Sequence, residues 1–148
     1  MITKELNNIE KCCIYANDFH LEMVLLPFIK ENLEKTKFVI LTENNLEDSV
    51  KILLDKVNIN KEIKNEIFGI NWKNNNAEKI ENLKNSIFNF ENITLIIKGC
   101  NNFINEISKI VDEFNEDCLE IIKCYSVEQL KESNINLNNC DILDTKRM

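Results

Sequence analysis

The sequence predicts an α/β protein, a three-layer α/β/α arrangement around a mostly parallel sheet of about five strands. Three observations carry this reading. Short apolar runs of strand length alternate with longer segments of helical spacing. Strands that alternate with helices need crossover connections, and right-handed crossovers cover both faces of a sheet. The runs "KFVIL" and "TLIIK" are apolar at nearly every position, as in strands buried on both faces.

The strand candidates are "CCIYA", "KFVILT", "ITLIIK" and "CLEIIKCY", with "EIFGINW" as the weakest. Between them, Leu21, Val24, Leu25, Phe28, Ile29 and Leu33 make one helical face, and Leu46, Val50, Leu53, Leu54 and Val57 a second. Ile80, Leu83 and Ile87 mark a third helix, and Phe103, Ile107, Ile110, Val111 and Phe114 a fourth. Asn45 with Asp48, and Ser126 with Gln129, have the spacing of a capping residue and its partner three residues on. The resulting order is β-α-β-α-(β)-α-β-α-β-α. Pro27 falls inside the first helix, removes a backbone donor there and predicts a kink. "NINKEIKNEI" reads either as a short helix or as a loop leading into "FGINW". The tail 133–148 is polar and possesses only Leu137, Ile142 and Leu143 for docking, so it is expected at the periphery of a single domain spanning 1–148.

Composition narrows the function classes. A 148-residue domain buries about 70% of its unfolded surface, enough for a core without disulfides or metal. The net charge of −7 repels phosphate backbones and anionic lipid headgroups, so no direct nucleic-acid partner and no membrane partner are expected. The apolar runs are too short to span a bilayer, and "MITKELNNIEKCC" lacks the apolar core of a signal peptide. A cytoplasmic location is the expectation. The six cysteines, Cys12, Cys13, Cys100, Cys118, Cys124 and Cys140, form no C-x-x-C pair, and most sit in or beside apolar runs, where a reduced thiol behaves as a small hydrophobe.

The first strand-to-helix junction, "KCCIYAND", contains no glycine. A phosphate-binding loop needs G-x-x-x-x-G-K-[ST], because backbone amides wrap a phosphate only where side chains are absent. With only Gly69 and Gly99 in the chain, both that loop and G-x-G-x-x-G are excluded as motifs. His20 is the sole histidine and no G-x-S-x-G elbow is present, so no catalytic triad is expected. In a parallel sheet, ligands bind at the carboxyl ends of the strands. The candidate ligand-binding residues on that edge are Tyr15, Asn17, Thr42, Glu43, Trp72, Cys100 and Tyr125. Trp72 reads first as a core residue and second as a flat wall for a ligand. An alternative use of the edge is cysteine-dependent redox or metal chemistry with Cys100, Cys124 and His20.

The run "CCIYANDFHLEMVLLPFIKENLEKTKFVILTENNLEDSVKILLDK" resembles the MEDS (methanogen/methylotroph sensory) domain family. The likeness is carried by a strand ending at Tyr15, Pro27-Phe28 followed by Leu33, the strand "KFVILT" and the pair Leu53-Leu54, and then by "LIIKG", the helix with Glu113 and Asn115, and "IIKCY". It extends from about Ile9 to Leu130. The chain departs from the family pattern at Asn32, where a glycine is usual, at Cys100, where an acid follows the glycine, and at Lys11, near which the usual histidine has no match. The resemblance implies a RecA-like (Rossmann-like) sheet without ATPase motifs, used for sensing and often fused to a DNA-binding or kinase module. A chain this short and acidic is expected to carry no helix-turn-helix. The expectation is a non-enzymatic sensory or regulatory domain with no cofactor and no metal, binding a small ligand or a partner protein and acting through a partner or homodimer.

Overall fold

The computed structural model describes residues 8–70, 72, 92–112, 119–132 and 141–143. Its strands are β1 (Asn8–Tyr15), β2 (Lys37–Thr42), β3 (Ile93–Lys98), β4 (Leu119–Ser126) and the three-residue β5 (Asp141–Leu143). They pair in the order β2-β3-β4-β1-β5, and every pairing is parallel. The described helices are α1 (Asp18–Asn32), α2 (Glu47–Lys56), α3 (Lys61–Phe68), α4 (Asn101–Asp112) and α5 (Val127–Glu132).

The alternation of side chains along each strand divides the interior into two cores. Cys13, Tyr15, Phe38, Ile40, Ile96, Ile122 and Cys124 face α1, α2 and α3, where they meet Val24, Leu25, Ile29, Val50, Leu53, Leu54 and Ile67. Cys12, Leu41, Ile93, Leu95, Ile97, Leu119, Ile121 and Tyr125 pack on the other side with Ile104, Ile107 and Val111 of α4 and with Leu130 of α5. Helices therefore cover both faces of the sheet. The six residues of β3 are all buried, which explains why its sequence is an unbroken apolar run except where Thr94 and Lys98 enter the α1 face.

At the amino end of that face a polar chain replaces the apolar packing. Lys11 Nζ donates to Glu120 Oε2 at 2.7 Å, Thr94 Oγ1 donates to Glu120 Oε1 at 3.1 Å, and the hydroxyls of Thr36 and Thr94 lie 2.9 Å apart. Each of these half-buried or buried polar side chains thus has a partner, which offsets the cost of desolvating it.

Four of the five expected strands stand, and the fifth does not. None of the described residues of "EIFGINW" is in a strand: the first of them complete α3. Asn60 caps that helix by accepting the amide of Glu62 at 2.6 Å, Ile63 and Ile67 share its inner face, and Gly69 ends it. Helical spacing and two good termini outweigh the β-prone composition of the segment. The other edge place in the sheet is taken by the tail, where Lys11, Cys12 and Cys13 are in register with Asp141, Ile142 and Leu143.

The expected cap at Asn45 is also corrected. Asn45 Oδ1 accepts the amide of Glu47 two residues on, at 2.8 Å, and the residue at the cap is Leu46, which is buried. A buried apolar residue at that point anchors the helix start from the core side. Helix α1 runs through Pro27 to Asn32, whose side-chain amide donates to the Phe28 carbonyl at 2.7 Å. The expected helix around Ile80, Leu83 and Ile87 lies outside the described residues, as does Phe114. No described helix is long and apolar enough to cross a membrane.

Candidate functional site

Because all strands run the same way, their carboxyl ends gather Tyr15, Thr42, Lys98 and Ser126 on one edge of the sheet. The chain passes from Tyr15 to α1 through Ala16 and Asn17 alone, both exposed. Two residues with side chains cannot fold back around a phosphate, so the amides at this junction form no cradle.

The neighbouring strand ends are tied to one another. Glu43, just past β2, accepts the backbone amide of Cys100 on Oε1 at 2.7 Å and the Cys100 thiol on Oε2 at 3.6 Å. The amide of Glu43 donates to the Lys98 carbonyl at 3.3 Å. From α5, just past β4, Gln129 Nε2 donates to the Gly99 carbonyl at 2.8 Å and to Asn101 Oδ1 at 3.0 Å. Gln129 is itself held by the reciprocal cap predicted for it: the Ser126 amide donates to Oε1 at 2.8 Å, and the Gln129 amide donates to Ser126 Oγ at 3.1 Å. Two side chains thus link the ends of β2, β3 and β4.

Gly99 is the pivot of this arrangement. A Cβ there would collide with the ring of Phe103 and lie 2.8 Å from Glu43 Oε1. The glycine serves close packing of a ring and a carboxylate against backbone.

Beneath the edge lies a lysine that sequence reasoning passed over. Lys98 is 5% exposed, and its ammonium stands 5.6 Å from the centroid of the Tyr15 ring, a cation–π distance. As the last residue of an apolar strand it reads as an exit to solvent. The signal that places it inside is parity, since Thr94, Ile96 and Lys98 alternate onto the same covered face. Thr42 and Cys124 are in register with Lys98 on either side, and Cys13 with Cys124. The four side chains make a buried row across the α1 face.

Within that row the Cys124 thiol is held well above its usual range. The hydrogen bond with the Cys13 side chain contributes most, then burial, while the positive charge of Lys98 acts in the opposite direction. Both thiols are fully buried, as is Cys12 on the other face, and Cys100 is exposed.

The residues expected to line one site do not all meet. Tyr15 and Thr42 belong to the α1 face and are buried, whereas Asn17, Glu43 and Cys100 are exposed on the edge. Tyr125 belongs to the opposite core. Trp72 is 1% exposed, donates from Nε1 to the Ile67 carbonyl at 2.9 Å and accepts the Leu46 amide at 2.9 Å through its own carbonyl. It is a core residue that locks the end of α3 to the start of α2. Of the alternative set, Cys124 is paired with Cys13 in the core while Cys100 is bonded to Glu43 at the surface, and the side chain of His20 lies outside the described residues. Among the described residues no group of three or more His, Cys, Asp or Glu is placed to hold a metal ion.

In comparisons with known proteins, no family model, curated protein or solved structure matches the chain.

Proposed function

We propose that this chain is a non-catalytic sensory or regulatory domain of the MEDS type, built on a RecA-like sheet. It binds a small ligand or a partner protein and passes its state on by association, in the cytoplasm. The strand order β2-β3-β4-β1-β5 supports the RecA-like reading, since it sets β4 between β1 and β3, as in that sheet. Fold alone carries no activity, so the functional step rests on the edge itself.

The observation that carries it is the junction Tyr15-Ala16-Asn17-Asp18. The strand enters the helix with no loop to hold a triphosphate, and β3, two places away in the sheet, ends in the buried cation Lys98. Around it, Glu43 and Gln129 spend their hydrogen bonds on neighbouring strand ends. Such an edge is a braced surface suited to recognition. The net charge of −7 favours protein or small-molecule partners over nucleic acid.

The test combines calorimetric titration with ATP and Mg²⁺, thermal melting against a metabolite panel, and light scattering with each hit. The expected result is no heat with ATP, together with a ligand or partner that raises stability by about 2.7 kcal/mol at 100 times its dissociation constant and changes the mass in solution. Saturable binding of ATP with Mg²⁺, or its hydrolysis, would sink the proposal.

A further inference from the structure

Away from the sheet edge, a cavity of about 470 Å³ opens between α1 and the α2–α3 junction, lined by Leu26, Pro27, Lys30, Glu31, Val57, Asn58, Ile59 and Ile67. Its origin is local. At Val57 the chain leaves α2 in an extended conformation and stays out of helix until α3 begins at Lys61, so a short connector stands off α1 where two packed helices would close the gap. On the α1 side the compact ring of Pro27 faces the opening.

The walls specify an occupant. Leu26, Pro27, Val57 and Ile59 supply aliphatic surface over the buried Ile67, with no aromatic ring among them, and the volume falls in the range of small-molecule sites. The polar groups sit on α1 and the connector. Leu26 and Lys30 are one turn apart on the ridge next to the buried Leu25 and Ile29, whereas Pro27 and Glu31 form the next ridge outward. Lys30 therefore borders the apolar floor, can lay its methylene stem along it and can raise its ammonium at the mouth. Glu31 stands further out. Among the described residues Lys30 makes no ion pair. Asn58 adds an amide donor on the opposite wall.

The geometry points to a binding site for a single-chain aliphatic carboxylate, its alkyl chain in the cavity between α1 and α3 and its head group on Lys30 and Asn58. The site is separate from the strand ends, and it rests on the sensory reading only for its use as an input.

The reporter is built in, because the one tryptophan, Trp72, bonds to the carbonyl of Ile67, the buried residue beneath the cavity. Decanoate, decanol and decyltrimethylammonium are titrated into the full chain by calorimetry and Trp72 fluorescence, with circular dichroism confirming an unchanged fold. The expected result is one saturable decanoate per chain, bound more tightly than either other amphiphile. Lys30→Glu, at an exposed position, weakens decanoate about fivefold, the ceiling for an exposed ion pair. Ile59→Trp fills the cavity and removes binding. Absence of saturation, several decanoates per chain, equal affinity for the cationic amphiphile, or an unchanged affinity in Lys30→Glu each overturns the assignment. Light scattering keeps the two proposals apart: decanoate binding without a change in mass upholds the cavity and counts against signalling by association. Association driven by another ligand, with no decanoate bound, removes the cavity alone.

Discussion

Glu43, the residue after β2, holds Cys100, two residues after β3, through both its backbone amide at 2.7 Å and its thiol at 3.6 Å. A single carboxylate thereby fixes the relative height of two parallel strand ends. On the other side of Gly99, Gln129 of α5, just past β4, performs the same service, so side chains brace the ends of β2, β3 and β4.

This bracing predicts the cost of removing it. Gln129→Ala loses the cap to Ser126 and the bonds to Gly99 and Asn101, while Glu43→Ala loses a charge-assisted bond at an exposed position. Each should lower stability by about 1–2 kcal/mol, with Gln129→Ala the larger because its partners are half-buried. The two act on the same strand end, so the double variant should fall short of the sum. Urea unfolding of the four proteins measures this, and strict additivity would show that the two braces are independent.

Gly99→Ala tests the close approach directly. The added methyl group meets the Phe103 ring and the Glu43 carboxylate, and both must move. The expected loss is about 1–3 kcal/mol by overpacking. With Glu43→Ala in the same chain the combined loss should fall short of the sum of the two, because the carboxylate is one of the two obstructions. If the losses of Gly99→Ala and Glu43→Ala simply add in the double variant, Phe103 carries the whole clash.

How far the sequence revealed this arrangement depended on the range of the interaction. The strands β2 and β3 and the helices α1, α2 and α4 were legible because burial on one or both faces writes a period into consecutive residues. The Ser126–Gln129 cap was legible for the same reason: its partners are three residues apart. The body of α3 is the helical one of the two readings that "NINKEIKNEI" allows, whereas its end reads as a strand because Ile67-Phe68-Gly69-Ile70 has β-prone composition. β5 was out of reach, since three residues carry no pattern and their place beside β1 is a long-range pairing. Lys98 was missed because a charged residue at a strand end looks like a boundary. Parity with Ile96 puts it on the covered face, and the strand order, set by contacts remote in sequence, makes β3 an interior strand.

The thiols should separate by exposure. In the native protein, iodoacetamide should modify Cys100, with Cys12, Cys13 and Cys124 modified only after unfolding, as read by peptide mass mapping. Rapid native labelling of Cys124 at neutral pH would contradict the buried contact with Cys13.

The same contact makes stability fall at alkaline pH. The folded state holds the Cys124 thiol protonated above its usual range, so above about pH 8.5 the unfolded chain releases a proton that the folded chain keeps. The unfolded state then binds fewer protons, and unfolding free energy declines as pH rises. The stabilisation is fully present below that pH and drains at up to about 1.4 kcal/mol per pH unit. Urea midpoints between pH 7.5 and 10 should decline less steeply in Cys124→Ala than in the parent chain, whatever the offset between them at pH 7.5.

Trp72 gives the last prediction, and it discriminates between a core residue and a ligand wall. A side chain 1% exposed, bonded to the Ile67 carbonyl and carried on a backbone that accepts the Leu46 amide, couples the end of α3 to the start of α2. Trp72→Phe keeps most of the apolar volume and removes one hydrogen bond to the Ile67 carbonyl, which keeps the Ile70 amide as a donor at 3.1 Å, so the loss is about 0.5–1.5 kcal/mol. Trp72→Ala removes both and should cost about 3–5 kcal/mol. The parent emission should be blue-shifted and weakly quenched by iodide, and it should move to the red only with global unfolding. A wall residue behaves otherwise: its emission is quenched in the native state, and Trp72→Phe leaves the urea midpoint where it was.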